Sequence, residues 1–141
     1  MHRTIFLVAF ACFVSLSAFA QGSSVLARVI SCYDGDTCTL DRDILPGRNR
    51  VHVRGADAPE IPARCAAEER LAQAAKEFTS SRLVGRNVLL IDVREGKSPQ
   101  GVDAYVRMPD GRDLGWALIS AGLARRYDGG KRQSWCADQW R

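Results

Sequence analysis

Strict alternation marks Arg50-Val51-His52-Val53-Arg54 as a strand, with both valines on a core face and Arg50, His52 and Arg54 on the other. Upstream, Val25 to Cys32 is rich in β-branched residues and predicts another strand. Tyr33-Asp34-Gly35-Asp36 then supplies a glycine-containing reversal, and Thr37 to Leu40 runs back as its partner. Asp41 to Asn49, with Pro46-Gly47, predicts a loop, and Gly55 to Ala63 carries two prolines that break regular structure. From Ala66 to Leu83 the period changes. Ala67, Leu71, Ala74, Ala75 and Phe78 recur at three- and four-residue spacing and predict a helix that Gly85 ends. Two more strands are predicted over Val88 to Val93 and Val102 to Met108, joined by the polar loop Arg94 to Gly101. After the turn at Pro109 to Arg112, Asp113 caps a short helix from Leu114 to Ala121 whose Leu114, Ala117, Leu118 and Ala121 face inwards. Leu123 to Tyr127 leaves Gly122 extended, and Gly129-Gly130 breaks the chain before Trp135-Cys136.

Three strands, a helix, two strands and a helix make a mainly β protein with helices, in the α+β sense. A helix between strands three and four suits a small five-stranded closed barrel of the OB type, with the second helix C-terminal. A sandwich needs more strands.

The first residues have a different character. His2 and Arg3 precede an apolar run from Ile5 to Leu16 and then Ala18-Phe19-Ala20, the parts of a secretory signal peptide. The run is too short to span a bilayer, which needs about 20 residues. Cleavage after Ala20 leaves residues 21–141 as one domain with its core over 25–136, secreted or periplasmic and without stable membrane association. No later apolar run, repeat or low-complexity tract suggests another organisation.

Export changes the reading of the cysteines. Cys32, Cys38, Cys65 and Cys136 remain after cleavage, and an even count in an exported chain reads as two disulfides. Cys32 and Cys38 flank the Asp34-Gly35 turn and face each other across the hairpin, which leaves Cys65 for Cys136. A zinc site is the alternative, but the short gap and the exported setting do not suit it. The formal charge of +4 leans weakly towards polyanions, with much of the excess late, at Arg125, Arg126, Lys131, Arg132 and Arg141.

Three motifs in order carry a family resemblance: Asp34-Gly35-Asp36-Thr37, Gly55-Ala56-Asp57-Ala58-Pro59-Glu60, and Asp113 to Ala124. Together they resemble the staphylococcal nuclease-like (thermonuclease) family over nearly the whole mature chain. The resemblance implies an OB-fold barrel and, in active members, a Ca²⁺-dependent phosphodiesterase acting on nucleic acid. It assigns Asp36, Asp57 and the backbone carbonyl of Ala58 to the metal, and Glu60 to the attacking water as general base. Tyr127 falls where the family sometimes presents a tyrosine to the bound nucleotide.

The chain departs from that pattern at both phosphate-binding arginines. His52 stands eight residues before Glu60, where one is expected, and Gly101 stands where the second belongs. Histidine lacks the bidentate fork and is charged only below its pKa, so His52 reads as a surface residue. Arg50 and Arg54 are possible substitutes for the first arginine, and Arg94, Lys97 or Arg107 for the second. Trp116, Trp135 and Trp140 are read as core or tail packing rather than base-stacking platforms. The sequence therefore supports a nuclease with a degenerate site. Its alternative is a catalytically inactive OB barrel that binds nucleic acid or another partner in the envelope.

Overall fold

The computed structural model describes residues 24–136, so the expected signal peptide lies outside the described residues. The elements are β1 (Ser24–Cys32), β2 (Thr37–Leu40), β3 (Arg50–Val53), β4 (Gly55–Asp57), α1 (Ala66–Leu83), β5 (Asn87–Glu95), β6 (Gly101–Arg107), α2 (Leu114–Ser120) and β7 (Arg125–Tyr127). Five strands close a mixed barrel in the order β1-β2-β3-β6-β5, with β5 returning to β1. All pairs are antiparallel except β3 with β6, where Arg50 lies opposite Gly101 and Val53 opposite Ala104. This is the expected OB-type barrel. One addition lies outside it: β4 and β7 pair as a separate two-stranded ribbon, Asp57 opposite Arg125 and Gly55 opposite Tyr127. Three-residue strands carry too few side chains to show a period, which is why 55–57 reads as irregular in the sequence.

Alternation places Val29, Leu40, Val51, Val53, Leu90 and Val106 inside the barrel, and Leu114 and Leu118 of α2 add to the same core. Ala121 lies beyond α2, at its C-cap, and is exposed, contrary to the predicted inward stripe.

Helix α1 begins at Cys65, whose Sγ accepts from the Glu68 N–H, while the Glu68 carboxylate accepts from the Arg64 N–H at 2.7 Å. This is close to a capping box, except that Glu68 reaches the N–H of Arg64, one residue before the N-cap. Its buried face is Glu68, Ala72, Ala75, Thr79 and Leu83, shifted round the helix from the predicted Ala67-Leu71-Ala74-Ala75-Phe78 stripe. The two polar members are buried because they are satisfied. Glu68 holds the cap, and the Thr79 hydroxyl donates to the Gly35 carbonyl at 2.6 Å.

That bond sets the helix against the β1–β2 turn. A Cβ on Gly35 would lie 2.6 Å from the Cβ of Ala75 and 3.0 Å from that of Ala58. Only glycine at 35, with alanines facing it, lets the Asp34–Asp36 turn sit this close to α1 and to the segment after β4.

Both disulfides form as expected. Cys32 joins Cys38 across the hairpin, where the two are register partners, and Cys65 joins Cys136 over a separation of 71 residues.

Candidate active site

The turn, the end of β4 and strand β3 converge at one mouth of the barrel. Asp34, Asp36 and Asp57 are each only 4 % exposed. The Asp36 Oδ2 accepts from the Ala58 N–H at 2.7 Å, and its Oδ1 accepts from the Thr37 hydroxyl at 3.2 Å. Asp34 accepts from the Asp36 N–H at 3.1 Å. Burial raises these carboxyls: Asp34 reaches about 7, with the charge of Asp36 adding to it, and Asp36 about 6, despite the Ala58 N–H. Asp57 is raised as well, first by burial, against the opposing charge of Arg132.

The cation comes from the tail. The Arg132 Nε stands 3.1 Å from the Asp57 Oδ1, its Nη1 donates to the Glu60 carboxylate, and its Nη2 lies 3.2 Å from the His52 Nε2. The Tyr127 ring lies under the guanidinium at 5.3 Å, and the Tyr127 hydroxyl donates to the Gly130 carbonyl at 2.9 Å. One arginine thus touches two of the three expected acidic residues.

His52 is part of the same cluster, which corrects its reading as a surface residue. Its Nε2 is 3.6 Å from Asp36 and its Nδ1 3.9 Å from Asp103. Burial pulls its pKa below the usual value, against the Asp103 charge, so at neutral pH the ring is neutral.

The family model for staphylococcal nuclease homologue matches residues 50–139. The chain belongs to that family. No curated protein matches it. In this staphylococcal nuclease homologue the match covers His52, Asp57, Glu60, Gly101 and Tyr127 but begins after Asp34–Thr37. Asp36 is tied to the site by the fold itself, through the Ala58 N–H and the contact with His52.

The expected substitutes are mostly engaged elsewhere. Arg54 pairs with Asp92 and lies 4.6 Å over the Tyr105 ring, and Arg94 pairs with the same Asp92 at 2.9 Å. Asp92 sits at a register shift in β5 with φ 53°, a conformation that aspartate tolerates. Arg107 is absent from the cleft wall, whereas Arg50 and Lys97 line it. At the other expected arginine position Gly101 opens β6, and Arg48 fills the surroundings by donating to the Gly101 and Ser98 carbonyls, each at 2.9 Å.

The Cys65–Cys136 bond anchors the segment that carries Arg132. That arginine lies four residues before Cys136, and Glu60 lies five before Cys65. The disulfide therefore keeps the two charges within reach of each other, and the docked tail closes the contact.

The residues present fit a hard divalent cation. Asp36 and Asp57 offer buried carboxylate oxygens, and the Asp57 Oδ1 accepts no hydrogen bond although Arg132 faces it as an ion pair. Glu60 stands apart, with its side chain 40 % exposed. Among the described residues Cys65, Glu68 and Cys136 bring possible ligand atoms within 4.8 Å of one another, but both sulfurs belong to the disulfide.

A pH dependence follows for the metal-free protein. Between the ordinary value of 3.8 and the folded values near 6 and 7, the folded state holds more protons at Asp34 and Asp36 than the unfolded chain. This stabilisation is complete below about 4 and is lost as pH rises through the folded values. The melting temperature should fall over that window, and Asp34→Asn should flatten the fall. A variant that follows the wild-type curve would show that these carboxyls are not strained by burial.

Of the tryptophans, Trp135 packs in the tail, with Arg125 3.8 Å over its ring. Trp116 does not pack: it is 57 % exposed. With Leu114, Ala117 and Leu118 buried, a residue at 116 must emerge on the opposite face of so short a helix. Trp140 lies outside the described residues.

Proposed function

We propose that the protein is an exported nuclease that hydrolyses phosphodiester bonds of nucleic acid with the help of Ca²⁺. The observation that carries this is Arg132, which brings to Asp57 and Glu60 the guanidinium that the strand positions lack. Asp36, Asp57 and the Ala58 carbonyl are the groups that would hold the cation. Bound there, Ca²⁺ supplies positive charge to the phosphate as it becomes more negative.

The chain's own residues supply the rest. Glu60 takes the proton from the attacking water as the new O–P bond forms; the scissile P–O bond breaks and the leaving sugar oxygen takes up a proton from solvent. Arg132 leaves Glu60 for the phosphate when substrate enters, which frees the carboxylate to act as base and places a fork of donors on the phosphoryl oxygens. His52, neutral, contributes hydrogen bonding and no charge. Arg50 and Lys97 on the cleft wall attract the backbone. Export is supported by the two disulfides, and no described helix is long and apolar enough to cross a membrane.

Purified, oxidised protein should cleave single-stranded DNA or RNA with Ca²⁺ and stop with chelator. Glu60→Gln should reduce the rate by about 10²–10⁴-fold, the usual contribution of a positioned base. Cleavage no faster than that of the Glu60 variant would remove the catalytic reading. His52 and Gly101 at the arginine positions favour one second reading, a barrel retained for binding nucleic acid. That outcome would establish it if salt-sensitive binding persisted.

A further inference from the structure

Beside the acidic cleft lies a second groove of about 630 Å³, between α2, the β4–β7 ribbon and the tail. The two concavities share Arg54, Tyr127 and Arg132, so a chain held at Glu60 can continue from one into the other. The groove combines aromatic faces with cations. Trp116 is 57 % exposed and Tyr105 39 % exposed. Arg126 lies over the Trp116 ring at 5.9 Å, and Lys131 lines the same wall. Among the described residues neither Arg126 nor Lys131 has an ion-pair partner. The acids of the wall are already engaged: Asp57 faces Arg132, Asp113 caps α2 through the Trp116 N–H at 2.8 Å, and Asp128 accepts from the Gly130 N–H at 3.1 Å.

We infer that this groove binds the part of a single-stranded nucleic acid that flanks the scissile phosphate. An unpaired base stacks on Trp116, and its phosphates meet Arg126 and Lys131. The inference rests on the nuclease reading for its direction of approach, and it adds a binding surface that runs from Asp57 and Arg132 out to Trp116. A duplex is a poor fit, because its bases are already stacked and the indole has no free π-face to meet. Stacking is indifferent to base identity and the cations read only phosphate, so the groove selects for strandedness and length rather than sequence.

The test uses oxidised Glu60→Gln protein with Ca²⁺ and fluorescent oligonucleotides, a dinucleotide and a strand of about eight nucleotides, within the usual reach of one OB fold. Trp116→Ala should weaken the longer strand by about 5- to 100-fold and leave the dinucleotide unchanged, while Trp116→Phe retains most of the affinity. Arg126→Ala with Lys131→Ala should lower the salt slope by about 1 per charge removed. Equal binding of duplex, or a longer strand bound unchanged by Trp116→Ala, would overturn the groove. The two readings can fail separately. Ca²⁺-dependent cleavage by otherwise wild-type protein carrying Trp116→Ala, with KM for the longer strand unaltered, would leave the nuclease and remove the groove. Trp116-dependent binding in a protein that cleaves nothing would do the reverse.

Discussion

Arg132→Ala is expected to leave the barrel folded and to lower phosphodiester hydrolysis by about 10³–10⁵-fold, the range for an arginine acting on a transferring phosphoryl group. No other arginine or lysine is paired with Asp57 or Glu60 among the described residues. Arg54 and Arg94 are held by Asp92, and Arg48 braces the carbonyls of the 96–101 loop. The same substitution should tighten Ca²⁺ binding, because Asp57 loses the positive charge 3.1 Å from its Oδ1. Rate and metal affinity therefore move in opposite directions, which simple unfolding cannot produce. Arg132→Lys should recover part of the rate, since it restores the charge without the fork. Steady-state kinetics and a calcium titration on the one variant check both. Faster cleavage by Arg132→Ala would mean that the tail plugs the site and that Arg132 is an inhibitor of Glu60.

Removing the Cys65–Cys136 disulfide should have the next largest effect, on stability and rate together. In the chain-entropy account, closing a loop over a 71-residue separation is worth about 4 kcal/mol. The Cys32–Cys38 bond closes a much shorter loop and is worth about 2 kcal/mol. Cys65→Ala with Cys136→Ala should therefore melt well below the wild type. At a temperature where it is still folded, its activity should approach that of Arg132→Ala, because the tail no longer holds the guanidinium at Glu60. Cys32→Ala with Cys38→Ala should lose less stability. Thermal melts paired with rates measured below both transitions separate the two effects. A folded Cys65/Cys136 variant with full activity would show that the tail docks without its tether.

The barrel was legible because its strands are local patterns. Val51 and Val53 alternate with polar neighbours, and the β-branched stretch before Cys32 has no helical period. The buried face of α1 was less so, since Glu68 and Thr79 look solvent-facing until the Arg64 N–H and the Gly35 carbonyl are seen to satisfy them. The β4–β7 ribbon pairs residues about seventy apart along the chain and leaves no local trace. The acidic residues were legible because motif spacing fixes them. Three departures were not. His52 enters the cluster only because β3 turns that face towards Asp36, Trp116 stands exposed because Leu114, Ala117 and Leu118 take the buried face of α2 and nothing among the described residues covers the other, and Arg132 comes from a segment with no pattern of its own.

The placement of that arginine sets an order in time. Asp34, Asp36, Asp57 and Glu60 leave the ribosome first, and α1, which packs against their turn, follows directly. Arg132 emerges only after α2 and β7. A barrel whose tail has not docked would hold its buried carboxylates without the Arg132 guanidinium beside Asp57 and Glu60. Under the proposed function, a cation at Asp57 and the docked tail would be rivals for one carboxylate, so tail docking and metal loading would be coupled during maturation.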